Sequence, residues 1–182
     1  MPISMTQIAA QSASSTAQTA HHPCTECVPE PFRHTDRGVR STGGIMPKSV
    51  FQIGGAGAVG TGSLRGLPVL ARLRAAGFAI WPFDPPGWPL ALEIYPRLLT
   101  GPVIKSSASG RQRYLAARYP ALDGPLLAYA TASEDAFDAA ISALAMAQHV
   151  ADLRALPPLP DSPFRREGLI WHPGWRATFG IG

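Results

Sequence analysis

Ser49-Val-Phe-Gln-Ile-Gly-Gly-Ala-Gly-Ala-Val-Gly60 is the stretch on which the fold turns. Ser49 to Ile53 reads as a short strand, and Gly55, Gly57 and Gly60 then spell a GxGxxG pattern. Asp84 ends the next strand candidate, 24 residues after Gly60. On its face this is a dinucleotide-binding fingerprint, in which the helix must open inside the motif so that its N-terminus meets a pyrophosphate. The following residues speak against that. Gly60, Gly62, Gly66 and Pro68 interrupt the chain repeatedly, so a helix is expected only from Leu67 to Ala76, with Gly77 closing it. The competing reading of Gly54–Gly66 is a loop packed closely against another backbone, or around a substrate phosphate. A nucleotide-cofactor protein using this loop is therefore a minority hypothesis.

Downstream, Phe78–Phe83 and Leu90–Tyr95 are strand candidates separated by the turn Asp84–Pro89. Their prolines place at least one of them at a sheet edge. Ser109–Tyr119 reads as a basic helix, and Thr131 to about Arg154 as the longest one, opened by a Thr131/Glu134 capping box or by Ser133. Pro157–Pro163 breaks it, and Leu169–Trp171 is a last short strand or packing tail. Upstream, residues 1 to about 27 are Ser, Thr, Ala and Gln without periodicity and are expected to be disordered. They lack the basic and apolar regions of a secretory signal, so a cytoplasmic setting is the default. Residues 1–28 are read as a tail and 29–182 as one domain, with ordered structure beginning near Lys48; Asp36 falls in a Pro/Arg/Gly loop.

Composition agrees with this pattern and narrows the class. Of 182 residues, 46% are hydrophobic and only 15% charged, with 18 Gly and 19 Pro. Such a chain can fill a core but needs many turns, which excludes a coiled coil or simple bundle. No apolar run is long enough to span a bilayer, and no membrane partner is expected. A net charge of +4 permits an anionic partner without requiring one. Lys48, Arg65, Arg72, Arg74, Arg97, Lys105, Arg111, Arg113 and Arg118, with Trp81, Trp88 and Tyr95 among them, could meet nucleic acid, although an ordinary solvated surface is the simpler reading. Two cysteines cannot form a disulfide framework. Cys24 and Cys27, with His21, His22 and His34 nearby, could bind zinc; a chance pattern in a polar tail is the better explanation.

Chemistry is best sought in two places. On the long helix, Asp135, Asp138, Ser142, His149 and Asp152 recur at helical spacing and form one polar stripe on a mostly apolar surface. Glu134 and Asp135 suit the positive end of a helix dipole. Asp138 lies beyond the first turn beside Phe137, where a carboxylate needs a partner or a metal. Strand alternation puts Glu93 on one face with Ala91 and Tyr95. There it could join the aspartates around a divalent ion, or pair with Arg97 or Lys105.

The stretches Pro47–Ser63, Ile80–Asp84, Glu93–Pro96 and Ser133–Ala140, taken in order, resemble a bacterial family of predicted nucleases with an RNase H-like fold (domain-of-unknown-function family 429). The likeness covers about residues 29–172. The long helix is also similar to the last helix of Holliday-junction resolvases, where an Asp-x-x-Asp pair binds catalytic metal. The resemblance implies an α/β fold: a partial RNase H-like sheet flanked by helices, behind the disordered tail. It further implies Asp135, Asp138 and Glu93 as metal ligands and catalytic residues for Mg²⁺ or Mn²⁺, and nucleic acid as substrate. The chain departs from that pattern where the family's first core aspartate should stand on an opening strand. Only the Ser/Thr-rich segment lies upstream, so the chain matches the C-terminal part of the domain. Two-metal hydrolysis uses carboxylates that bridge ions ~4 Å apart, and the bridging one is lacking. A truncated, inactive member, or a non-catalytic binding module, is thus the alternative to a metal-dependent phosphodiester hydrolase.

Overall fold

The computed structural model describes residues 32–40, 47–55 and 58–181. The tail 1–28 and the cysteine pair lie outside them. The described chain is mixed α/β and rich in helix, which makes up 54% of it. It opens with α1 (His34–Arg40) and α2 (Gly60–Ala75), followed by three short strands, β1 (Ala79–Ile80), β2 (Leu90–Ala91) and β3 (Glu93–Ile94). Helices α3 (Pro96–Thr100), α4 (Ala108–Arg118), α5 (Gly124–Thr131), α6 (Glu134–Gln148), α7 (Val150–Arg154) and α8 (Pro163–Glu167) come next. The chain closes with β4 (Ile170–Trp171) and α9 (Trp175–Phe179).

Strands pair in two parallel ladders, β1 with β2 and β3 with β4, in the register Ala79↔Leu90 and Glu93↔Ile170. A single sheet flanked by helices is therefore not what these strands build. Helices carry the packing instead, around two apolar cores. One gathers Trp81, Leu153, Leu156, Leu159, Leu169, Trp171 and Trp175. The other gathers Leu115, Ala130, Phe137 and Ile141. Helix α6 serves both: Phe137 and Ile141 fill the second core, while Met146 packs against the first.

Capping side chains explain where the helices begin. Ser107 Oγ accepts from Gly110 N–H, Asp123 from Leu126, Ser133 from Ala136 and Ser162 from Arg165, so an N-terminal donor of α4, α5, α6 and α8 finds a partner. Ser133, and not Thr131, caps α6. Thr131 belongs to α5, where its hydroxyl donates to the carbonyl of Leu127. The single helix expected to run to Arg154 is broken at His149, whose ring bonds to Asp152.

Two further expectations need correcting. Residues 49–53 form a turn and not a strand: Gln52 N–H donates to the Ser49 carbonyl. Helix α2 then starts seven residues earlier than its glycines suggest. The turn supplies the reason, because the Gln52 carbonyl accepts from Gly60 N–H and the Ile53 carbonyl from the Thr61 hydroxyl. Gly60 is needed there, since a Cβ would lie 2.4 Å from the Val50 carbonyl oxygen. Ordered structure also begins before Lys48, with Asp36 on helix α1 and not in a loop.

Candidate functional site

Glu93 sits on β3, whose partner β4 brings in the C-terminal segment. Its carboxylate meets the Arg33 guanidinium in a two-point contact, Nη1 to Oε2 at 2.8 Å and Nη2 to Oε1 at 2.6 Å. The other edge of the same guanidinium holds Asp36, with Nε 3.2 Å from Oδ2 and Nη2 3.0 Å from Oδ1. Arg33 is 9% exposed and Asp36 1%, whereas Glu93 keeps 40% of its side chain in solvent. Burial works against the charge on Arg33, but bonds from two carboxylates outweigh it and hold the guanidinium protonated. Next to this cluster, Glu167 accepts from the His34 backbone N–H and bonds to its ring. Burial pushes the Glu167 carboxyl up, and His34 and Arg37 more than reverse it, so its pKa lies below the usual carboxylate range.

The α6 acids have other company. Asp135 is exposed in the first helical turn beside Glu134, where both complement the dipole. Asp138, one turn on and a quarter exposed, is bonded to the Lys105 ammonium from the segment between α3 and α4. Glu93 and Asp138 are thus each engaged by a different cation. Among the described residues, no three His, Cys, Asp or Glu side chains form a group that could hold a metal ion. A divalent ion at these positions would first have to displace Arg33 and Lys105.

Asp84, the acid placed to bind a ribose in the cofactor reading, is also occupied. Its Oδ2 accepts from Ile80 N–H and from Arg74 Nε, both at 2.9 Å. Burial raises its pKa, but these two donors more than compensate and the net shift is downward. The strand that should precede the glycine motif is the turn at 49–53, so no β-α-β unit frames it. Arg111, counted above among surface cations, is buried and structural: its guanidinium donates to the carbonyls of Thr131 and Lys105. His34, counted with the cysteines, bonds to Glu167.

A cavity of about 230 Å³ opens between α7 and the start of α9. Its walls come from Asp152, Trp171, His172, Trp175 and Arg176, with Ala155 and the Pro173–Gly174 turn. Left-handed Gly174 turns the chain so that Trp175 and Arg176 face back toward β4. The Arg176 guanidinium lies 4.9 Å from the Trp175 ring centroid and donates to the Ala155 carbonyl. His172 is 5% exposed. Its Nδ1 lies 2.8 Å from the Pro173 carbonyl, which makes Nδ1 the protonated nitrogen. Desolvation lowers its pKa and the Pro173 bond only partly restores it, so the ring is neutral at neutral pH. Trp171 Nε1 and His172 Nε2 are buried without a hydrogen-bond partner. The sequence reading passed over this region as a packing tail. The signal it held was density: two Trp, a His and an Arg within Trp171–Arg176.

No protein-family model, curated protein or solved structure matches the chain.

Proposed function

We propose that this chain is a non-catalytic binding module whose seat is the cavity beside Trp171 and whose ligand is a small planar anion. The observation that carries the reading is the placing of the candidate acids in separate ion pairs while a cavity walled by aromatic rings and a guanidinium stands elsewhere. Arg176 spends one nitrogen on the Ala155 carbonyl and keeps further donors, and it is stacked on Trp175 as a recognition arginine often is. Asp152 is committed to His149. At 230 Å³ the space is below the usual 300–1,000 Å³ of drug-sized pockets, so a ring-sized ligand suits it.

The reading is tested by thermal unfolding and Trp fluorescence with benzoate as the probe. Benzoate should raise Tm and change the emission of Trp171 and Trp175, with both effects lost in Arg176→Gln. An unchanged Tm at millimolar benzoate, or an equal shift in the variant, would overturn it.

A metal-dependent nuclease of RNase H-like type, using Mg²⁺ or Mn²⁺ at Asp135, Asp138 and Glu93, is the second reading. What favours it is the spacing of Asp135 and Asp138 on adjacent turns of α6, with Asp135 open to solvent. Manganese decides between the two. A Tm rise that disappears in Asp135→Asn, together with cleavage of a mixed DNA and RNA substrate panel, supports the nuclease; neither effect supports the binding module.

A further inference from the structure

No helix among the described residues is long and apolar enough to cross a membrane. Lying on one is a different physical problem, and α2 with the turn before it has the composition for it. Within this unit Phe51 is 61% exposed, Ile53 62%, Leu64 56%, Leu67 60% and Leu70 36%. Leu64, Leu67 and Leu70 follow one another at i, i+3 spacing and so form a continuous stripe along the helix. Of the sixteen residues of α2, only Gly60 is buried. The turn is not a loose appendage: Gly60 N–H, the Thr61 hydroxyl and the close approach of Gly60 to Val50 tie it to the first turn of the helix. The apolar side chains of turn and helix are therefore carried by one unit.

Charge identifies the partner. From Arg37 to Phe83 the chain has no Asp or Glu. Arg65 and Arg72, seven residues apart and hence on one face, are exposed and make no ion pair among the described residues; Arg74 is held by Asp84. Two copies of such a surface would bring cation against cation. An apolar stripe beside uncompensated arginines is the pattern of a helix lying in the headgroup layer of an anionic bilayer. Exposed all around its axis, the helix offers no groove for the close shape matching of a protein interface, whereas a lipid surface deforms around it.

We propose that the Phe51–Ile53 turn and helix α2 dock the protein on anionic lipid surfaces. The turn and the Leu64, Leu67 and Leu70 stripe enter the acyl boundary, and Arg65 and Arg72 meet phosphate groups. This face is separate from the Trp171 cavity, and neither proposal depends on the other.

Flotation of the full chain with vesicles tests it. Vesicles of phosphatidylcholine with phosphatidylglycerol should bind at least about tenfold more tightly than phosphatidylcholine alone, and the preference should fade in about 0.5 M salt. Leu67→Glu with Leu70→Glu, both at exposed sites and checked for native circular dichroism, should abolish binding. Arg65→Gln with Arg72→Gln should remove the preference for anionic vesicles. Absence of vesicle binding overturns the proposal, as does wild-type binding by the glutamate variant. Light scattering that finds a dimer dissociated by the same glutamates assigns the face to a second copy, which also overturns it.

Discussion

Arg33 holds together parts of the chain that sequence separates widely. It binds Asp36 three residues away and Glu93 sixty residues away, and donates to the Glu167 carbonyl besides. Removing it would strand the 1%-exposed Asp36 carboxylate without its main cation. Deleting one partner of a buried pair costs about 3–5 kcal/mol, so Arg33→Ala should lower the urea midpoint by that amount at constant m-value. Lys105→Ala removes a partner from a pair that is a quarter to a third exposed, and the loss should be about 1 kcal/mol. Equal effects in the two variants would show that burial does not set their weight. Glu93 and Asp138 were legible as a strand acid and a helix acid in need of partners. Which cations answer them was not, because hydrophobic and polar periodicity reports the face a residue occupies and says nothing of contacts across 60 or 33 positions.

At the scale of elements, local signals worked where the helix was long and its cap sharp. Helix α4 and the body of α6 could be read from a serine cap and an apolar period. Helices α3, α5, α8 and α9 could not, since segments of five to eight residues carry too little period to register, and three of them begin at or beside a proline. The glycine-rich segment misled in both directions. Its first part reads as a strand and is a turn. Its second part reads as a loop and is a helix, because the turn donates two carbonyls to the helix start. Ser133 makes the cap argument testable. Ser133→Ala should cost about 1 kcal/mol in chemical denaturation, and hydrogen exchange should quicken first at the amide of Ala136, which loses its acceptor. Unaltered exchange there would mean that tertiary packing alone fixes the start of α6.

For the molecule as a whole, pH is the informative variable. The His172 ring is held neutral in the folded protein by burial, while in the unfolded chain it titrates near 6.5. Just below that pH the unfolded chain binds more protons, so stability falls as pH drops through the window from 6.5 toward the lower folded value. Glu167, with its lowered pKa, acts in the same direction at more acidic pH: its contribution is present above the ordinary carboxylate value and lost below it. Tm should therefore decline from about pH 7 to about pH 5. In His172→Asn, whose amide can still reach the Pro173 carbonyl, that decline should flatten. A variant as pH-sensitive as the parent would move the titration to other groups.

Thr35, wholly buried on α1, accepts a hydrogen bond from the Ile170 N–H at 2.9 Å. That amide belongs to β4 and is directed away from β3, at the margin where a further strand would attach. One hydroxyl thus consumes the donor an incoming chain would seek. The short ladder cannot be lengthened sideways there, and the molecule is guarded against stacking into fibres by a threonine some 135 positions upstream.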